Sequence, residues 1–210
     1  MRGLVLGLFA VALLAACASV APPPASSDSS MILGRLKVEV SGMGIATNGA
    51  SGWVDTEWPY AAALVVYNET SGRTYEIRTA TPGDSFVLAN AEPGSYQLRE
   101  LWAQVKTDDA YVTISSSFYK DLAFEVKPGR LANLGVNSWK FSYDLTRAVS
   151  NNSFALNADF PAAEQALAGV DTQWTGRADQ TSFEGEAKAN PSAVAFEPRG
   201  TSNGQIIVLH

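Results

Sequence analysis

The chain has a single histidine, and it is the last residue, His210. Histidine-based triads, histidine metal sites and cysteine–histidine nucleophile pairs need that side chain held in place, so composition removes them unless a terminus supplies the group. Cysteine is equally scarce. Cys17 stands alone, which leaves no intrachain disulfide to make. Charged residues are only 17% of the chain, with 15 Lys and Arg against 21 Asp and Glu, a balance that argues against nucleic acid and against electrostatic docking on anionic lipid. No apolar run reaches the ~20 residues that span a bilayer. Helical periodicity is almost absent, and there is no internal repeat or sustained heptad.

What is present begins at the N-terminus. Met1-Arg2 supplies a positive charge, and Leu4 to Leu14 form an apolar run broken only by glycine and alanine, the core of an export signal and too short to be a membrane span. It ends in Leu14-Ala15-Ala16-Cys17, which resembles the bacterial lipobox at all four positions. The resemblance implies cleavage before Cys17, a lipid on its thiol and attachment to the membrane through that lipid. A secretory leader cut at an Ala-x-Ala site, with a cysteine nearby by chance, is the competing reading. In lipoproteins of this kind an aspartate after the cysteine commonly signals retention in the inner membrane. Here Ala18 follows, so the same resemblance implies a bacterial envelope location at the outer membrane, facing the periplasm.

Of the 15 basic residues Arg2 leaves with the leader, so 14 face 21 acidic ones, a formal charge of −7. Residues 17–30 form the lipidated cysteine and a tether rich in alanine, proline and serine, too poor in apolar side chains to offset chain entropy. A flexible chain of that length spans roughly 20 Å. Residues 31–146 are expected to form a β-sandwich domain and residues 147–210 a C-terminal extension.

Period-two alternation with β-branched and aromatic enrichment runs through most of residues 35–145. Leu36, Val38 and Val40 share one face of a first strand, followed by a glycine-rich loop from Gly42 to Gly52. Tyr60 to Tyr67 reads as a buried strand, turned by Asn68 to Gly72 into Arg73 to Ala80. Further strands are predicted at Phe86 to Leu88, Tyr96 to Val105, Tyr111 to Phe118, Leu122 to Val126 and Val136 to Leu145, the spacing of an antiparallel sandwich. Arg99-Glu100 marks a bulge, because Tyr96 and Leu98 change phase with Leu101, Ala103 and Val105.

Phe86-Val87-Leu88 followed by Glu92-Pro93-Gly94-Ser95-Tyr96-Gln97-Leu98, and Phe124 to Gly129 followed by Asn133-Leu134-Gly135, resemble the prealbumin-like (transthyretin-like) sandwich domains of carboxypeptidase regulatory regions and of bacterial lipoproteins. Pro-Gly sets a tight turn, and the tyrosine two residues on is placed to bond back to it as a tyrosine corner. The expected fold is thus mainly β: an antiparallel immunoglobulin-like or prealbumin-like sandwich with one short C-terminal helix and a loosely ordered C-terminal region. The resemblance implies a non-catalytic accessory domain.

Past residue 146, Asn151-Asn152-Ser153 reads as a break. Asp159 to Val170 reads as a helix, with Asp159 as cap, Pro161 in the first turn and Gly169 near the end. Residues 171–192 are polar and expected to be loosely ordered. Ala193 to Phe196 and Gln205 to Leu209 suit a final hairpin.

Candidate chemistry is limited. Asp55 with Glu57, and Asp108 with Asp109, are carboxylate pairs of the kind glycoside chemistry needs, though adjacent Asp108-Asp109 reads as a polar turn. Trp53, Asp55, Glu57, Trp58 and Tyr60 place three aromatics and two acids in eight residues, a composition suited to stacking on sugars or packing on a partner. The competing reading is that Trp53 and Trp58 cap one end of the core. Lys106, Lys120, Lys127 and Arg130 read as a solvated face with nothing to bind. The sequence thus predicts no cofactor, no metal and no catalysis. It leaves an envelope protein partner, or alternatively a glycan or cell-wall fragment held by the Trp53/Trp58 stretch.

Overall fold

The computed structural model describes residues 28–45, 51–56, 61–79, 84–106, 110–118, 122–144, 147, 149–159, 172–185, 192–198 and 205–208. Its strands are β1 (Ser30–Ile45), β2 (Ser51–Thr56), β3 (Ala61–Asn68), β4 (Arg73–Arg78), β5 (Ser85–Ala91), β6 (Gly94–Lys106) and β7 (Ala110–Ser117). There follow β8 (Ala123–Val126), β9 (Leu131–Asp144), β10 (Val149–Asp159), a 3-10 turn at Thr172–Arg177, β11 (Ala178–Gln180), β12 (Ala193–Pro198) and β13 (Gln205–Val208).

These strands form two sheets. The first runs β10-β9-β1-β2, with β11 beside β9 and β5 beside β1; the second runs β13-β12-β7-β6-β3-β4, with β8 beside β6. Single bridges join the sheets at two places, Thr79 with Phe86 and Ala123 with Glu184. The predicted terminal hairpin is present, and β12 also pairs with β7.

Alternation builds the shared core. In β1, Leu36, Val38 and Val40 are buried while Lys37 and Glu39 are exposed; in β9, Trp139, Phe141 and Tyr143 are buried while Lys140 and Ser142 are exposed. The second sheet answers with Leu64, Val66, Leu98, Leu101, Ala103, Val112 and Ile114. The bulge falls where expected: Val65 pairs with Glu100 but Val66 pairs with Leu98, so Arg99 is the extra residue. That single insertion lets Tyr96 and Leu98 face the same core as Leu101 and Ala103.

Several expectations are corrected. Both ends of the glycine-rich loop expected from Gly42 to Gly52 are strand, since β1 runs to Ile45 and pairs with β2 from Ile45–Ser51 to Val40–Thr56; residues 46–50 lie outside the described residues. Gly42 is needed there because a Cβ would lie 2.3 Å from the Tyr143 ring. Ser30, placed at the end of the tether, is instead fully buried and opens β1, its hydroxyl donating to the Lys127 carbonyl at 2.9 Å. The first sheet is not purely antiparallel, because β1 pairs with β9 in parallel from Met31–Leu131 to Met43–Asp144, and β11 also runs parallel to β9. Seven strands, β2 to β8, lie between β1 and β9 in the chain, so nothing forces the antiparallel sense that a tight hairpin would impose.

The C-terminal part differs most. Asn151-Asn152-Ser153 is no break but the middle of β10, paired with Ser142, Phe141 and Lys140. The stretch 172–185, expected to be loosely ordered, packs on the first sheet because Trp174 is 1% exposed against Met31, Leu33 and Leu131. Trp174 and Phe183, which is also buried and packs edge-on against Phe124, supply the apolar area that the polar composition conceals. Asp159 closes β10, and the rest of the predicted helix, 160–170, lies outside the described residues.

Candidate functional site

Cys17, Glu57, Trp58, Tyr60 and the Asp108-Asp109 pair lie outside the described residues. Trp53 and Asp55 are placed by backbone pairing: both belong to β2, an end strand of the first sheet, with Trp53 opposite Met43 and Asp55 opposite Ser41. Following the register across the sheet, Ser41 pairs with Ser142 and Ser142 with Asn151. The next row on that face contains Glu39, Lys140 and Ser153. These side chains line a shallow groove of about 320 Å³ on the outer face, where the Lys140 ammonium sits 2.6 Å from the Glu39 carboxylate. The groove offers hydroxyls, an amide and an exposed ion pair.

The turn containing Pro93 and Gly94 is held by a dense set of side-chain hydrogen bonds. Tyr96 is fully buried, and its hydroxyl donates to the Glu92 carbonyl at 2.6 Å. Its ring stacks on Phe124, centroids 5.3 Å apart, and burial raises the hydroxyl's pKa. Gly94 has φ 142°, and a Cβ there would lie 2.5 Å from the Thr70 hydroxyl. Asn68, also fully buried, accepts from the Thr70 and Ser71 amides at 2.8 and 3.0 Å and donates to the Glu92 carbonyl at 3.3 Å. The Ser71 hydroxyl holds the Glu92 carboxyl below the usual carboxylate range, with Arg73 assisting and burial opposing. Glu69 receives Ser95 at 3.0 Å and Gln97. These carboxylates bind protein donors, so the cluster holds two turns together.

A second groove, about 330 Å³, lies where the chain leaves β11 for the Ala123–Glu184 bridge, lined by Glu125, Lys127, Arg130, Asp179, Thr181 and Glu184 among others. Arg130 is partly exposed but, against the expectation from the sequence, does not lack a partner; it pairs with Asp179 through two guanidinium nitrogens. Arg130 holds the Asp179 carboxyl below its ordinary range, and Asp179 in turn raises Arg130. The two are 49 residues apart, so no local pattern signals the pair. Asn152 was also missed: it accepts from the Trp139 indole at 3.0 Å and from Ser116 at 2.9 Å. Among the described residues no three His, Cys, Asp or Glu side chains gather as a metal site. No family model, curated protein or solved structure matches the chain.

Proposed function

We propose that this chain is the precursor of a lipid-anchored envelope protein, lipidated at Cys17 and held at the periplasmic face of the outer membrane. In this reading its folded part is a non-catalytic sandwich of the prealbumin-like type that engages another envelope protein. The observation that carries the reading is Leu14-Ala15-Ala16-Cys17 after a short apolar core, in a chain with no other cysteine. The tyrosine corner at Tyr96 supports the sandwich type, since its hydroxyl reaches back to the preceding turn. The absence of any histidine before His210 supports a non-catalytic role.

The fold adds a directional argument. β1 has 16 residues, roughly 50 Å of strand, with Ser30 at the tethered end and Ile45 at the other. The β1–β2 hairpin, with Trp53 and Asp55, therefore stands at the far end of the strand from the lipid. β2 pairs only with β1 among the described residues, so its outer edge suits an added strand from a partner.

Mass spectrometry of the mature protein is expected to find Cys17 at the N-terminus carrying a lipid, and Cys17→Ser is expected to leave the membrane fraction. An unmodified Cys17, or normal membrane recovery of the variant, would refute the anchor. Crosslinking in intact envelopes is expected to capture a protein through the β1–β2 hairpin. Glycan or peptidoglycan binding lost in Trp53→Ala or Trp58→Ala would favour a glycan module instead, and turnover lost in Asp55→Asn or Glu57→Gln would overturn both.

A further inference from the structure

We propose that Ser116, Asn152 and Ser192 form a closed hydrogen-bond ring that clasps β12 onto the body and fixes its register on β7. The contacts are four: Trp139 Nε1 donates to Asn152 Oδ1 at 3.0 Å, Ser116 Oγ to Asn152 Oδ1 at 2.9 Å, Asn152 Nδ2 to Ser192 Oγ at 2.8 Å, and the two serine oxygens lie 2.8 Å apart. Ser116, Ser192 and Trp139 are fully buried.

One donor-only group fixes every proton. An indole N–H cannot accept, so the Asn152 atom facing Trp139 must be the carbonyl oxygen, and the amide nitrogen is thereby turned to Ser192. Ser116 also faces that oxygen, so its hydroxyl donates there. Its lone pairs are left for Ser192, whose proton must then point at Ser116. The bonds run Ser116 to Asn152 to Ser192 to Ser116 in one direction, each residue donating once and accepting at least once.

The ring joins parts far apart in sequence. Ser116 belongs to β7 of the second sheet, Asn152 and Trp139 to β10 and β9 of the first, and Ser192 directly precedes β12. Next to the ring, Ala193 pairs with Ser115, and Val194 is fully buried in the core. A one-residue slip of β12 would turn Val194 outward and carry the Ser192 hydroxyl away from both partners. Apolar packing of Val194 and the ring with its assigned donors therefore select the same register, and the ring adds a directional constraint that packing lacks.

Hydrogen exchange on the full chain tests this, comparing Ser116→Ala, Ser192→Ala and the double variant. Each single variant is expected to speed exchange across residues 193–197 by roughly tenfold, the equivalent of one net hydrogen bond, while β1 and β9 amides keep their protection. Because either deletion already opens the ring, the double variant should lose little more than the worse single one. Unchanged protection in β12, a uniform loss in all strands, or full additivity in the double variant would each overturn the proposal.

Discussion

Replacing Tyr96 separates two contributions that one side chain makes to the turn at Pro93 and Gly94. Tyr96→Phe removes the hydroxyl that donates to the Glu92 carbonyl at 2.6 Å and leaves the ring in place. The carbonyl is not orphaned, because Asn68 still donates to it at 3.3 Å. The loss should therefore be that of an ordinary net hydrogen bond, about 1 kcal/mol, and not the larger penalty of a stranded polar group. Tyr96→Ala also removes a fully buried ring stacked on Phe124 and 6.0 Å from Tyr75. Core deletions of that size cost about 3–5 kcal/mol through lost transfer energy and the cavity left behind. For a folded part of this size each kcal/mol lowers the melting temperature by roughly 2–4 °C, so melts should order as wild type, then phenylalanine, then alanine, with the second gap several times the first. Urea titrations with unchanged slope would show that the folded state is what changed. Equal losses in both variants, or none in either, would refute the assignment of Tyr96 as both the corner and a core residue.

Two further outcomes follow from shifted ionisations. Burial pushes the Tyr143 pKa up to about 12; a pKa raised on folding gives stability that is complete below the ordinary tyrosine value near 10 and is lost as pH rises towards about 12. Tyr143→Phe should flatten the alkaline fall in stability measured by denaturant titration between those values, and an identical fall would refute the assignment. Asp179 is shifted the other way by Arg130, so its contribution is present above the ordinary carboxylate range and fades as pH drops through the lowered value. Asp179→Asn should loosen the amides of β11 in hydrogen exchange, with a smaller effect in high salt because the pair is partly exposed; a salt-independent effect would show that packing, not charge, holds β11.

The parts of the fold legible in the sequence are those written in period two and in turn chemistry. The alternation Trp139, Phe141, Tyr143 against Lys140, Ser142 named both faces of β9, and the phase change at Arg99 named the bulge. Pro93-Gly94 before Tyr96 gave a hydroxyl-to-turn bond whose partner, the Glu92 carbonyl, is only four residues away. Within such distances the chain has few ways to arrange itself, so residue type nearly decides the geometry.

What stayed hidden depends on partners far along the chain. Asn151-Asn152-Ser153 has the composition of a break, because asparagine and serine bond readily to their own backbone. In β10 that tendency is overridden: Asn152 finds Trp139, Ser116 and Ser192, the last two 36 and 40 residues away. The same holds for Trp174, whose cover over Met31, Leu33 and Leu131 orders a polar segment, and for Arg130, read as having nothing to bind until Asp179 is brought to it by β11 lying parallel to β9. In each case a residue whose local preference is for turn or solvent is captured by a sheet assembled from distant segments, and the capture satisfies groups that burial would otherwise leave at a cost. Parallel pairing of β1 with β9 underlies the last two. Once it places Leu131 beside Met31, the outer face there is apolar and needs covering, β11 has an edge of β9 to join, and Arg130 is carried to the strand that bears its partner.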